Sequence, residues 1–157
     1  MKKLNLPCLL FYIISAEAIG GISALITGDF SSFFDSYKAP PLLPPGWLFP
    51  VVWVLLYALM GYSAYLVSVS GAEPDRVRCA MTVYWVQLAF NFSWSIIFFR
   101  LEWLWGGAAV IIGLLLLIAV MLLLFARVDK KAALLNIPYL LWVAFATYLN
   151  IATAVIN

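Results

Sequence analysis

The chain has 157 residues, of which 66% are hydrophobic and 10% charged, with a net charge of +2 and no histidine. A soluble domain carries about 25% charged residues and about half apolar ones, so this much apolar surface excludes water as the solvent and leaves lipid. In lipid every backbone N–H and C=O needs an internal partner, and the long unbroken apolar runs select helices over the alternating segments of a barrel.

A hydrocarbon core about 30 Å thick takes roughly 20 apolar residues per helix. Five segments qualify: Leu4 to Gly28, Trp47 to Ser70, Val77 to Phe99, Trp105 to Ala126 and Ala132 to Ile156. The expected fold is an all-α integral membrane bundle of five spans, forming one transmembrane domain over residues 1–157. Met1, Lys2 and Lys3 precede the first span, and with no small-residue cleavage site before a soluble region this segment reads as uncleaved. Ala16, Gly20, Ala24 and Gly28 recur along it, small residues that let another helix approach closely, inside the bundle or across a dimer. Glu17 is the one carboxylate well inside a span. It is either a functional acid or a neutral one bonded to a neighbouring helix.

The long connection, residues 29–46, runs through Phe33-Phe34-Asp35 and Lys38-Ala39-Pro40-Pro41-Leu42-Leu43-Pro44-Pro45. Its prolines stiffen an extended chain, and its aromatic and leucine side chains are poorly suited to water. Two readings stay open, a lid folded over the helix ends and an interfacial aromatic belt.

In the second span Trp53, Tyr57, Gly61 and Ala64 share a face, and in the third Gln87, Asn91, Trp94 and Phe98 do. The fourth, with Leu114 to Leu117 and Leu122 to Leu124, is apolar all round and is assigned mainly to lipid contact. In the fifth, Pro138, Trp142, Ala146 and Leu149 or Asn150 form a stripe. Aromatic stripes pack cores as readily as they line pockets. The amides of Gln87 and Asn91 add information, because an amide in hydrocarbon is costly unless partnered. They either join two helices or give an aromatic cavity its polar handle, the usual composition of a small-molecule site.

Lys2, Lys3, Arg76, Arg78, Arg127, Lys130 and Lys131 fall at one end of the bundle, and Lys38 and Arg100 at the other. Seven against two places the N-terminus in the cytoplasm and the long loop and Asn157 outside, in a plasma-type membrane. Cys8 and Cys79 then face a reducing compartment, which disfavours a disulfide, and two cysteines without histidine do not make a zinc site. No Ser–His–acid triad or phosphate-binding glycine motif is present, and the scattered basic residues give no nucleic-acid surface.

Three motifs carry a resemblance: Pro44-Pro45-Gly46-Trp47 through Phe49-Pro50 to Trp53 and Tyr57; Gln87-Leu88-Ala89-Phe90-Asn91 to Trp94-Ser95 and Phe98-Phe99; and Pro138-Tyr139-Leu140-Leu141-Trp142 to Phe145-Ala146-Thr147-Tyr148-Leu149-Asn150. The sequence resembles the TspO/MBR family (tryptophan-rich sensory proteins and translocator proteins) over nearly its whole length. The resemblance implies a five-helix bundle, often a homodimer, with a lid loop after the first helix. It implies a receptor-like protein that binds porphyrins and other flat apolar ligands, in a sensory, regulatory or transport role, with no required cofactor and no metal. Matching motifs would place Trp53, Asn91, Trp94, Trp142, Ala146 and Leu149 on the pocket, with Phe33, Phe34 and Pro44 from the lid; Tyr57, Gln87 and Phe98 join them from the stripes. The alternatives are light-dependent porphyrin degradation with Trp53 and Trp142 as the redox indoles, and a structural or regulatory partner protein without a ligand. The lid departs from the family pattern: Phe33-Phe34-Asp35 stands for Trp-Tyr-Asp, Lys38-Ala39-Pro40 for Lys-Pro, and Leu43 for a Trp. Tyr148 has no Lys or Arg after it, so the sterol-recognition pattern is incomplete.

Overall fold

The computed structural model describes residues 4–28, 33 and 35–157. The basic residues Lys2 and Lys3 lie outside the described residues, as does Phe34 of the lid. Five described helices are long and apolar enough to cross a membrane. They comprise α1 (Leu6–Thr27), α2 (Leu48–Ser68), α3 (Pro74–Ser95), which continues into a π-helical turn Ile96–Arg100, α4 (Leu104–Val128), and a last span made of α5 (Lys130–Leu135) and α6 (Ile137–Ile156).

Local chemistry sets the boundaries. Asn5 caps α1 by accepting from the Cys8 N–H at 3.3 Å, and Gly28 ends the helix at φ 84°, where a side chain is strained. Pro74 opens α3, where its missing N–H costs nothing. Asp129 ends α4 and caps α5, accepting from the N–H groups of Lys131 (2.8 Å) and Ala132 (3.0 Å). The last span breaks at Asn136 because Pro138 cannot donate to the carbonyl one turn before it. The buried Asn136 amide holds the break in place, donating to the Ser63 hydroxyl on α2 at 2.6 Å and to the Ala132 carbonyl at 2.9 Å.

The spans close into a ring. Helix α1 packs on α2 and α3, α3 on α4, α4 on α6, and α5 returns to α2. The α1–α2 approach is closest at Gly61, where a Cβ would stand 2.5 Å from Ile13 Cα. The expectation that α4 mainly meets lipid needs correction. Ala108, Ile111, Leu114, Ile118, Met121 and Phe125 form a fully packed stripe at helical spacing, and only the opposite face, with Leu116 and Leu123, is exposed. Uniform apolarity hid the face, since in lipid the packed and exposed sides need not differ in hydrophobicity.

The described part of the long loop lies over one end of the bundle. Phe33 is buried against Phe98 and Phe99, with ring centroids 5.2 and 5.0 Å apart. Tyr148 donates to the Pro41 carbonyl at 3.1 Å, and Asn157 accepts from the Lys38 N–H at 2.8 Å and donates to its carbonyl at 3.2 Å. The lid reading therefore describes this segment, while Trp47, Trp103 and Trp105, all exposed, supply a belt at the same end. Tyr37 donates to Glu102 at 2.9 Å, and that bond, with burial and the Glu102 charge, raises the phenol above the ordinary tyrosine range. The bond is thus intact through neutral pH and lost only as alkaline pH ionises the phenol. Tyr37→Phe is expected to speed tryptic cleavage after Lys38 about two- to fivefold, the worth of one exposed hydrogen bond, with little change in global stability. Unchanged cleavage would mean that this bond does not hold the lid.

Candidate functional site

The interior at the lid end is lined by rings. A cavity of about 80 Å³ is bounded by Gly20, Ser23 and Ala24 of α1, Phe49, Pro50, Trp53 and Tyr57 of α2, Asn91, Trp94 and Ser95 of α3, and Phe99 of the π turn. A second cavity of about 20 Å³ lies beside it, bounded by Phe49, Trp94, Phe98 and Phe99 together with Ala146, Leu149, Asn150 and Thr153 of α6. Phe49, Trp94 and Phe99 belong to both walls, so these rings are the partition. Ala24 and Pro50 are exposed, which places the rim of the first cavity on the lipid-facing surface between α1 and α2.

The rings are mutually braced. Trp53 lies 5.5 Å from Tyr57 and 5.9 Å from Trp94, with interplanar angles of 30° and 39°. Trp94 donates its indole N–H to Asn150 at 2.9 Å, and Asn150 donates to the Ala146 carbonyl at 2.9 Å. The π turn widens the end of α3, and its Leu101 N–H reaches back to the Ile96 carbonyl at 2.9 Å. It carries two adjacent buried rings, Phe98 and Phe99, of which only Phe99 borders the first cavity.

The polar groups form one chain across three spans. Tyr57 donates to the Asn91 carbonyl at 2.9 Å, the Asn91 amide donates to the Tyr139 hydroxyl at 2.8 Å, and Tyr139 donates to the Gln87 carbonyl at 2.7 Å. The Gln87 amide faces the Met60 sulfur at 3.8 Å. Asn91 therefore both joins helices and borders the cavity. Gln87, fully buried, only joins helices. A second hydroxyl group, Ser23 on Ser95 with Thr27 donating to Ser95 at 3.3 Å, ties α1 to α3 at the cavity edge.

The structure thus brings Trp53, Tyr57, Asn91 and Trp94 together on the first cavity, and Trp94, Phe98, Ala146 and Leu149 on the second. Trp142 is on neither wall. It stands edge-to-face with Phe49 at 5.9 Å, and its buried indole nitrogen has no hydrogen-bond partner among the described residues. Pro44 is half-buried in the lid, and Phe33 lies on neither wall but packs against Phe98 and Phe99. Glu17 is half-buried and off both walls. Sequence reasoning left Phe49, Phe99, Tyr139, Gly20 and Ser23 out of the site. Phe49, Phe99 and Tyr139 stood inside quoted motifs. Gly20 stood in the small-residue strip of α1, but that strip turns about 40° with each four-residue step, so Ser23 replaces Ala24 on the buried face.

The TspO/MBR family model matches residues 11–156. The chain is similar to "Tryptophan-rich protein TspO" of Chlorobaculum tepidum, 37% identical over 81% of this chain and 80% of that one. It is similar to "Protein CrtK" of Rhodobacter capsulatus, 34% identical over 98% of this chain and 95% of the relative. It is also similar to "Translocator protein" of Homo sapiens, 33% identical over 82% of this chain and 76% of the relative.

Proposed function

The chain belongs to the TspO/MBR family, and from that premise we propose that this membrane protein binds a tetrapyrrole of the porphyrin type between α1, α2, α3 and α6, as a sensory or transport receptor. The observation that carries the reading is a cavity at membrane depth walled by Phe49, Trp53, Tyr57, Trp94 and Phe99, with the single amide of Asn91 among them. Aromatic faces stack on any planar ligand, and one amide orients it. Relatives named "Translocator protein" and "Tryptophan-rich sensory protein" support the role assigned here. At about 80 and 20 Å³ the two cavities are smaller than the roughly 300–1,000 Å³ of drug-sized sites. Binding in this reading displaces the Phe49–Trp94–Phe99 partition and joins them.

The bias of basic residues toward the end opposite the lid supports a cytoplasmic N-terminus in a cell membrane, with lid and Asn157 outside. A homodimer is part of the same reading and is tested by sedimentation in detergent. The defining experiment is a dark titration of purified protein with protoporphyrin IX, followed by tryptophan quenching and porphyrin absorbance. Saturation near one ligand per chain is expected, weakened about tenfold in Asn91→Ala, an orienting hydrogen bond's worth, and less in Trp142→Phe. Well-folded protein without saturable binding would sink the tetrapyrrole reading. Illuminating the same complex tests porphyrin degradation, which requires absorbance loss that Trp53→Phe abolishes while binding persists.

A further inference from the structure

At the opposite end of the bundle, the break at Asn136 shapes a second recess, independent of the porphyrin reading. Leu59, Tyr62 and Leu66 of α2 face Leu134, Leu135 and Pro138 across a groove of about 620 Å³, and Lys131 closes its outer end. The groove is a built feature. Asn136, fully buried and bonded to Ser63, pins the α5–α6 junction to α2, so both walls are held by a polar contact at membrane depth. Pro138 lies seven residues beyond Lys131, about 10 Å deeper along the helix, so a charge at the headgroup level leads into an apolar slot at the acyl level.

Charge selects the occupant. Arg76 and Arg78, at the same end, are paired with Glu73 (3.0 Å) and Asp75 (3.4 Å). Lys131, exposed on the groove, makes no ion pair among the described residues, and Lys130 precedes it in the chain, whereas Arg127 lines a separate recess with Asp75 and Arg76. The nearby carboxylate, Asp129, is turned to the N–H groups of Lys131 and Ala132. Tyr62 is 40% exposed beside Tyr65, whose hydroxyl accepts from the Asn5 N–H at 3.1 Å. Basic recesses between spans on the lysine-rich side of a membrane protein recognise anionic headgroups. We propose that this groove binds one anionic glycerophospholipid, its phosphate on Lys131 and an acyl chain along Leu59, Leu66, Leu135 and Pro138.

The test is native mass spectrometry of delipidated protein in detergent, titrated with dioleoylphosphatidylglycerol or dioleoylphosphatidylcholine. One phosphatidylglycerol per chain is expected, retained about fivefold or more over phosphatidylcholine. Lys131→Gln, at an exposed site, is expected to erase most of that preference. Leu135→Trp, which fills the slot without touching charge, is expected to lower retention of both lipids, and Lys38→Gln at the lid end to change nothing. Glycerol 3-phosphate is expected not to compete. Equal retention of the two lipids, wild-type selectivity in Lys131→Gln, or competition by glycerol 3-phosphate as strong as by the lipid would each overturn the proposal. If Leu135→Trp does not fold, Lys131→Gln and the competition arm decide it.

Discussion

Valine at Gly61 is expected to unseat α1 and to lower the stability of the bundle by about 3 kcal/mol, the upper end of what overpacking costs. The atoms that a Cβ would meet are Ile13 Cα at 2.5 Å, the Tyr12 carbonyl at 2.7 Å and the Ile13 nitrogen at 2.8 Å. All are backbone and none can rotate away. Carbon atoms rest about 3.5–4.0 Å apart, so the helices must separate by an ångström or more. In lipid no hydrophobic force restores the contact, because tails solvate the freed faces as well as the partner helix did. The damage reaches the site, since α1 supplies Gly20, Ser23 and Ala24 to the first cavity and Gly20 itself rests on the Tyr57 ring. Thermal unfolding in detergent measures the effect, with Gly21→Ala as the control. Nothing lies within 4 Å of a Cβ at Gly21, so that change is expected to be neutral or to stabilise by up to about 1 kcal/mol through helix propensity. A Gly61→Val protein that melts with the wild type would show that α1 is not held by this contact.

How far the sequence spoke depended on the kind of force at each position. The spans were legible because length and apolarity alone define them: Leu48–Ser68 and Leu104–Val128 fall within two residues of the stretches read from hydropathy. The third and fifth spans begin earlier than hydropathy placed them, at Pro74 and Lys130. A helix end is set by caps and proline there, which apolarity does not report. The amides of Gln87 and Asn91 were legible as a pair needing partners, but their division of labour was not. That division depends on Tyr139, which lies on another span and fills the space beside both. The stripe through Trp94 to Phe98 missed Phe99 because it assumed 3.6 residues per turn through a π turn. Trp142 shares a helical stripe with Ala146, and the family resemblance put it on the pocket, yet the Phe49 ring stands against it. Helical spacing gives a residue's direction, whereas what stands in that direction is decided by other elements.

That last point sets the second large effect. Phe49→Ala is expected to join the two cavities into one and bring Trp142, whose indole nitrogen is unpartnered among the described residues, toward the wall. The cost is a lost core ring, about 3 kcal/mol, at the low end for such truncations because the ring already borders open space on two sides. The gain appears in binding. If the closed protein must displace its partition before a planar ligand enters, its apparent affinity is reduced by the fraction of molecules in the open state. Removing the partition relieves that reduction, so protoporphyrin IX is expected to associate faster with Phe49→Ala, by about tenfold for each 1.4 kcal/mol of opening cost removed. Loss of stacking on the ring acts the other way, chiefly on dissociation. Stopped-flow quenching separates the two, since the on-rate reports opening and the off-rate reports contact. Phe33→Ala, which loosens the lid from a position on neither cavity lining, behind Phe98 and Phe99, is the comparison. If Phe33→Ala accelerates association while Phe49→Ala does not, the barrier to entry is the lid, and the Phe49 ring is only part of the packing. A faster on-rate confined to Phe49→Ala places the barrier inside the bundle, at the Phe49–Trp94–Phe99 partition, where the absent lid indole could not have contributed to it.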